Sequence, residues 1–190
     1  MIQVVIDDAI IERALVIARI QGIMAKGAPD KSLSQKGRKA VWEGAVGQAV
    51  FERAMSDLKI DWSLEADWNY DYKSEGRTVE VKTKERSVAP RPDYEASVYD
   101  YNHQRQNADW YAFVSLKFAD GYNKESKEAR YKYSVGWVVG CIQREDFAKV
   151  ARVVEVDDPL PNGQRAGFTS HNIEFSKLLD LAVLGGNENE

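Results

Sequence analysis

Apolar residues recur along this chain at helical spacing in some segments, and alternate or form unbroken apolar runs in others. The helical segments are 8–20, capped by Asp7 or Asp8, 38–57 and 145–150. The predicted strands are 64–72, 77–84, 94–99, 110–118 and 131–142. Gly and Pro predict loops at 22–37 and 157–167, and 174–184 predicts a short helix or strand. Mixed in this order, the elements predict an α/β fold whose mixed sheet of four to six strands has helices on both faces.

Two glycines interrupt the second helical segment. Gly44 and Gly47 each weaken a helix by about 1 kcal/mol relative to alanine. Close packing of this helix on the sheet would explain them. Glu43 lies four residues before Gly47. This position is at the edge of the apolar stripe that the second helical segment would bury, where the Glu43 carboxylate would point at a metal ion. An exposed glutamate is the alternative interpretation of Glu43.

The stretch 67–84 contains the candidate metal-binding and catalytic residues. Asp71 lies just before a turn, and Glu80-Val81-Lys82 follows inside a predicted strand. Side chains alternate across a strand, so Glu80 and Lys82 share one face and Val81 points to the core. Mg²⁺ prefers oxygen ligands, which Asp71, Glu80 and the Val81 carbonyl would supply. Lys82 would then orient or activate a water molecule, or stabilise charge on a phosphate.

At these residues the chain resembles the PD-(D/E)xK nuclease superfamily, with Asp71, Glu80 and Lys82 at the motif positions and Tyr70 in place of the proline. The resemblance spans roughly 35–140. It implies a restriction-endonuclease-like core, Mg²⁺ bound by the two acids, Mn²⁺ as a substitute, and a lysine that assists the attacking water. It further implies a metal-binding role for Glu43 on the preceding helix, and a contact with a phosphate or a metal-bound water for Gln104, which matches better than Gln106. The small size suggests a phage-type or mobile-element nuclease.

Other acid-x-Lys triplets weaken the motif taken alone. Pro92-Asp93 with Glu125 and Lys127 is a rival assignment, and Asp57-Leu58-Lys59 is another triplet. The first rival lies in a polar, turn-like stretch and the second at the end of a helical pattern. Only the segment around Glu80 is rich in β-branched residues and preceded by a glycine turn, which favours it.

The net charge of −4 is unusual for a DNA-binding protein, so the distribution of charge matters more than its sum. The cationic run 31–39 contains no acidic residue. Lys84 shares one face of the predicted strand with Lys82. Phosphate contacts are therefore predicted for Lys84, Lys36, Arg38 and Lys39. A solvated surface is the alternative interpretation of the cationic run. Three aromatic residues flank Asp71, and one of them would line the substrate cleft: Trp68, Tyr70 or Tyr72.

Composition limits the class of protein. We expect a single domain over 1–184 with a flexible tail at 185–190, because 190 residues suffice for one substantial core. No run approaches the ~20 apolar residues of a membrane span. One cysteine and two histidines disfavour a zinc site and fit a cytoplasmic protein, the host cytoplasm if a phage encodes it.

The sequence thus predicts a Mg²⁺-dependent nuclease that acts on DNA, with an endonuclease favoured and a homodimer plausible. Two other classes of function stay open. One is a nucleic-acid-binding module on a degenerate nuclease core. The other is a protein-interaction or assembly factor that merely contains this strand, and it predicts no stabilisation by divalent metal on heating.

Overall fold

The computed structural model describes residues 1–27, 35–65, 67–121, 132–160 and 163–186, with the backbone alone for 22–27 and 35–40. The helices of this part of the chain are α1 (Asp8–Gly27), α2 (Gln35–Asp57), α3 (Asp100–Arg105) and α4 (Arg144–Val150). The strands are β1 (Ile2–Val5), β2 (Ser63–Leu64), β3 (Tyr72–Ser74), β4 (Arg77–Arg86), β5 (Glu95–Tyr99), β6 (Trp110–Phe118), β7 (Tyr133–Gln143), β8 (Arg152–Val154) and β9 (Ser170–Glu174). Short 3₁₀ helices follow at Phe175–Lys177 and Leu181–Gly185.

The larger sheet has six strands in the order β1-β7-β6-β4-β3-β2. β4 and β6 run parallel, with Glu80 opposite Tyr111 and Lys82 opposite Phe113. The other neighbouring strands of this sheet are antiparallel. The strand with the candidate chemistry therefore lies inside the sheet, between a long parallel neighbour and the short β3.

The smaller sheet has three strands in the order β5-β9-β8. β9 is its central strand, although Ser170 and Asn172 on it are polar and buried. Their side chains satisfy each other through a 3.0 Å hydrogen bond, and the Asn172 amide donates to Glu95 on β5. Buried polar groups of this kind are tolerated because each has a partner.

The core has two layers, one on each face of the larger sheet. Helices α1 and α2 cover one face, where Val46 and Val50 of α2 belong to the same cluster as Val81 of β4. The smaller sheet covers the other face, where Phe147 of α4 joins Phe113 of β6. The α/β fold predicted from the sequence is confirmed.

Several predicted elements are correct. The bounds of β6 match the predicted strand, and α4, β5 and β7 differ from prediction by two residues or fewer. Asp7 caps α1, since its Oδ1 accepts a hydrogen bond from the Ile10 amide at 3.0 Å. The 174–184 segment forms 3₁₀ helices with an extended stretch between them.

Other predicted boundaries are wrong. Residues 22–27 and 35–37 of the predicted loop are helical, because one glycine costs a long helix only about 1 kcal/mol; 28–34 lie outside the described residues. Among the described residues of the predicted strand 64–72, only Leu64 and Tyr72 are in strands. Between them, Asp67 Oδ1 accepts a hydrogen bond from the Asn69 amide at 2.8 Å, a local turn that competes with strand pairing. The prediction also missed α3, β1, β8 and β9.

The close packing inferred from the helix glycines is confirmed at Gly47. An added Cβ there would lie 1.9 Å from Thr83 Oγ1 on β4, so only glycine lets α2 approach the sheet this closely. Gly44 shows no such contact, because its added Cβ would meet nothing within 4 Å.

Within the described residues, no helix combines the length and the apolar character needed to cross a membrane.

Candidate active site

Asp71 lies where β3 stops pairing with β4. The pairing ends at Tyr72 and Val79, so the next backbone groups of β4 that face this edge belong to Val81. Asp71 occupies that position: its amide donates to the Val79 carbonyl at 3.0 Å, and its Oδ2 accepts from the Val81 amide at 2.8 Å. The amide and carbonyl of one strand residue point to the same edge. The Val81 carbonyl therefore points to the same edge of β4 as the Val81 amide, where the Asp71 carboxylate lies.

Glu80 forms a closed triangle of hydrogen bonds with Lys82 and Gln106. Lys82 Nζ donates to Glu80 Oε1 at 2.8 Å and to Gln106 Oε1 at 2.6 Å. Gln106 Nε2 donates to the same Glu80 oxygen at 2.7 Å. Glu80 is only 7% exposed, so these contacts fix its orientation. The shared face of Glu80 and Lys82, predicted from strand alternation, is confirmed.

Gln48 connects helix α2 to the site. Its Nε2 donates to Asp71 Oδ1 at 2.7 Å, so both oxygens of Asp71 accept a hydrogen bond. Gln48 is 3% exposed, and its Oε1 is buried without a hydrogen-bond partner in the described part of the chain. An unpartnered buried acceptor costs about 1–3 kcal/mol, which a donor entering the site would recover.

The two acids of the site disfavour each other's charge. Burial, followed by the charge of Glu80, raises the pKa of Asp71 well above its ordinary 3.8. The Val81 amide and the Lys82 ammonium lower the pKa of Asp71 but do not cancel this rise. A positive ion between the two carboxylates would offset the electrostatic repulsion between their negative charges.

Asp71 and Glu80 open into a cavity of about 270 Å³. Its other walls come from α1, α2, β2, the segment between β2 and β3, and the residue after α3: Ile17, Ile20, Gln21, Val41, Leu64, Asp67, Trp68 and Gln106. Of the three aromatic residues that flank Asp71, Trp68 lines the cavity. Tyr72 is fully buried against Phe51.

Glu43 makes different contacts from those expected. Its Oε1 accepts a hydrogen bond from Lys132 Nζ at 3.1 Å, and that lysine also pairs with Glu85 at the far end of β4. Burial, followed by the hydrogen bond with Glu85, raises the pKa of Glu43. The structure thus joins Glu43 to Lys132 and Glu85, and the α2 side chain at Asp71 is Gln48.

Gln104 and Lys84 lie outside the triangle around Glu80. Gln104 Nε2 donates to Asp100 Oδ2 at 2.6 Å, within the short helix α3. Lys84 Nζ reaches Ser97 Oγ at 3.3 Å, on the same face of β4 as Lys82. The side chains of Lys36, Arg38 and Lys39 lie outside the described residues.

Sequence reasoning missed Gln48 and ranked Gln104 above Gln106. One signal favours Gln106: Gln104 is four residues after Asp100, a spacing at which helix side chains bond to each other. Gln106 instead follows the end of α3 and precedes β6, the parallel neighbour of β4. The sequence signal for Gln48 is the preceding Gly47, because a helix glycine that packs on a sheet brings the next residue close to that sheet.

Comparisons with protein-family models, with curated proteins and with solved structures find no match for this chain. The functional assignment therefore depends on the geometry of the site.

Proposed function

We propose that this protein is a Mg²⁺-dependent nuclease of the PD-(D/E)xK type, and that it hydrolyses phosphodiester bonds in DNA as an endonuclease. The observation that carries the proposal is the meeting of Asp71 and Glu80 at the end of β3, with Lys82 held 2.8 Å from Glu80. Two acids that attract a cation line one open cleft, and an ammonium that attracts a phosphate is hydrogen-bonded to one of them.

The residues of the site fit a hard divalent cation. Among the residues that the structure describes, no three His, Cys, Asp or Glu side chains form a group that could hold a metal ion. The protein ligands would therefore be Asp71, Glu80 and the Val81 carbonyl, all oxygen donors, and Mg²⁺ keeps several of its waters in such sites. The unpartnered Gln48 Oε1 is a ready acceptor for one of those waters. Burial and the charge of Glu80 raise the pKa of Asp71 more than the Lys82 ammonium lowers it, so a bound cation would favour the ionised carboxylate.

When bound, the cation would polarise a phosphoryl oxygen and acidify water. The chain's own residues orient the reactants. Lys82 uses two of its three N–H donors on Glu80 and Gln106, and an ammonium has a third to offer a water molecule or a phosphate oxygen. Glu80 and Gln106 thereby fix the direction of that third donor. Gln48 and the Val81 amide hold the Asp71 carboxylate in place.

Further contacts with DNA are proposed for positive residues near the site. Lys84 lies two residues along β4 from Lys82, and it donates a long 3.3 Å hydrogen bond to Ser97. Burial, followed by the nearby Arg86 charge, lowers the pKa of Lys84, so an incoming phosphate would favour its charged form. We place the activity in the cytoplasm, where a lone buried thiol such as Cys141 stays reduced.

A cleavage assay tests this function. Supercoiled plasmid, linear duplex, single-stranded DNA and RNA are each incubated with Mg²⁺, Mn²⁺ or EDTA. We expect metal-dependent cleavage of DNA that falls about 100- to 10,000-fold in Lys82→Ala, the range for loss of a group that moves or orients a proton. Lys73→Ala is the matched control, because Lys73 is an exposed lysine of the neighbouring strand, 3.6 Å from Glu65.

Three results would decide against the proposal. Cleavage that survives in Lys82→Ala or in EDTA would mean a misplaced site or a contaminating enzyme. Binding of DNA by a wild-type protein that never cuts would support the binding module. A melting temperature unmoved by Mg²⁺ and Mn²⁺, with neither cleavage nor binding, would support the assembly factor.

A further inference from the structure

The cavity beside Asp71 and Glu80 has a shape that metal binding alone does not explain. Its volume is about 270 Å³, just below the roughly 300–1,000 Å³ of sites for drug-sized ligands. Half of the residues that line it are apolar: Ile17, Ile20, Val41, Leu64 and Trp68. A sugar-phosphate backbone is charged and hydrated and would not be drawn to these walls. A flat, largely apolar ring of one or two fused cycles suits their size and chemistry.

Trp68 is placed to stack on such a ring. It is 62% exposed, although large apolar side chains are usually buried. The neighbouring turn holds it out, since Asp67 Oδ1 accepts hydrogen bonds from both the amide and the side chain of Asn69 at 2.8 Å. Aromatic side chains in nucleic-acid-binding proteins hold single strands by stacking on their bases. Lys82, which donates to Glu80 at 2.8 Å, supplies a positive charge beside the cavity wall.

We propose that this cavity takes one unpaired nucleobase of the substrate, stacked on Trp68, beside the phosphodiester bond that Asp71, Glu80 and Lys82 act on. The inference rests on the proposed nuclease function and specifies its substrate. In a duplex every base is stacked and paired, and removing one costs a few kcal/mol. The substrate class is therefore DNA with unpaired nucleotides, such as single strands, flaps or frayed ends, in preference to intact duplex.

A binding experiment isolates the contribution of the base. Fluorescence anisotropy is measured with labelled oligothymidylate, with an abasic oligomer of equal length, and with oligothymidylate annealed to its complement. Lys82→Ala protein with Mg²⁺ is used so that the probes stay intact, and a gel confirms their integrity. Trp68→Ala is added to this background. Phe168→Ala is the matched control, because Phe168 is an equally exposed aromatic residue at 64% that packs on Tyr99.

We expect oligothymidylate to bind more tightly than the abasic oligomer and the duplex. Trp68→Ala should weaken oligothymidylate binding by about 5- to 150-fold, the range for loss of one base–aromatic stack. Its affinity for the abasic oligomer and duplex should stay within about twofold of the parent. Equal effects of Trp68→Ala and Phe168→Ala, or equal losses on all three probes, would overturn the base site. A thermal melt of each variant verifies that it is folded.

The same variants separate the two proposals. If wild-type protein cuts DNA, and Trp68→Ala alone binds and cuts single strands as wild type does, the base site is wrong and the nuclease stands. If no probe is ever cut while oligothymidylate binding still depends on Trp68, the nuclease is wrong and a base-binding cavity stands.

Discussion

Helix α2 carries two glycines that predict opposite responses to the same substitution. Alanine is favoured over glycine in a helix interior by about 0.5–1 kcal/mol. Gly44→Ala gains this stabilisation without cost, because its Cβ would meet nothing within 4 Å. Gly47→Ala gains it as well, but its Cβ would lie 1.9 Å from Thr83 Oγ1 and 2.7 and 2.8 Å from Thr83 Cγ2 and Cβ. The helix or the strand must move.

The balance at Gly47 can be worked out. Overpacking a core costs about 1–3 kcal/mol, and three heavy atoms of Thr83 inside normal contact distance place this site at the upper end. Subtracting the helix gain leaves a net destabilisation of about 2 kcal/mol. For a chain of this size, 1 kcal/mol corresponds to about 2–4 °C in melting temperature. Gly47→Ala should therefore melt about 4–8 °C below wild type, and Gly44→Ala about 1–4 °C above it.

Differential scanning calorimetry of the two variants and wild type, without divalent cations, measures both shifts. Displacement of α2 would also move Gln48 away from Asp71, so metal-dependent cleavage should fall in Gly47→Ala and be retained in Gly44→Ala. A Gly47→Ala protein that melts at or above wild type would refute the close approach of α2 to β4. It would also refute the placement of Gln48 at the site.

Two more predictions concern the acids and the amides of the site. Because the pKa of Asp71 is raised above 3.8, its ionisation destabilises the metal-free fold as the pH rises through that raised value. Asp71→Asn should therefore melt above wild type at pH 7 without metal, gain nothing from Mg²⁺, and lose its advantage as the pH falls towards 3.8; a pH-independent difference in melting temperature would contradict this. Gln106→Ala should lower cleavage about 10- to 100-fold, as loss of a side chain that orients a metal-site residue does, while Gln104→Ala should not. Equal rates for the two variants would place the triangle around Glu80 outside the catalytic machinery.

The sequence predicted the centre of the larger sheet better than its surroundings. Unbroken apolar runs identify β6 and β7, and β-branched residues after a glycine turn identify β4, because burial on both faces leaves a strong local signal. β9 left no such signal. It is a central strand that buries Ser170 and Asn172, and only its partner strand shows that these polar residues are satisfied. β1 is apolar but short, and nothing near it in sequence pairs with it.

The residues of the candidate site also divide into those that the sequence predicted and those that it misplaced or missed. The shared face of Glu80 and Lys82 was predicted because strand alternation places side chains over a few residues, whereas Asp71 was predicted from its match to the PD-(D/E)xK motif. Glu43 was expected at the metal because helix spacing assigns it a face, but spacing does not say which residue of the sheet that face meets. The contact of Gly47 with Thr83 sets that relation, and it brings Gln48 to Asp71. Distances between elements are decided by packing, which a single sequence does not show.

The pairing of β1 with β7 has a consequence for how the chain folds during its synthesis. Ile2 pairs with Val138, so β1 waits until β7 has been synthesised before it gains its partner. At 5–20 residues per second, that wait is on the order of ten seconds. β5 likewise pairs with β9, with Glu95 opposite Glu174. Contacts this distant in sequence close slowly. The nascent chain therefore exposes unpaired strand edges on the ribosome, where a chaperone that covers apolar strands would raise the yield of folded protein.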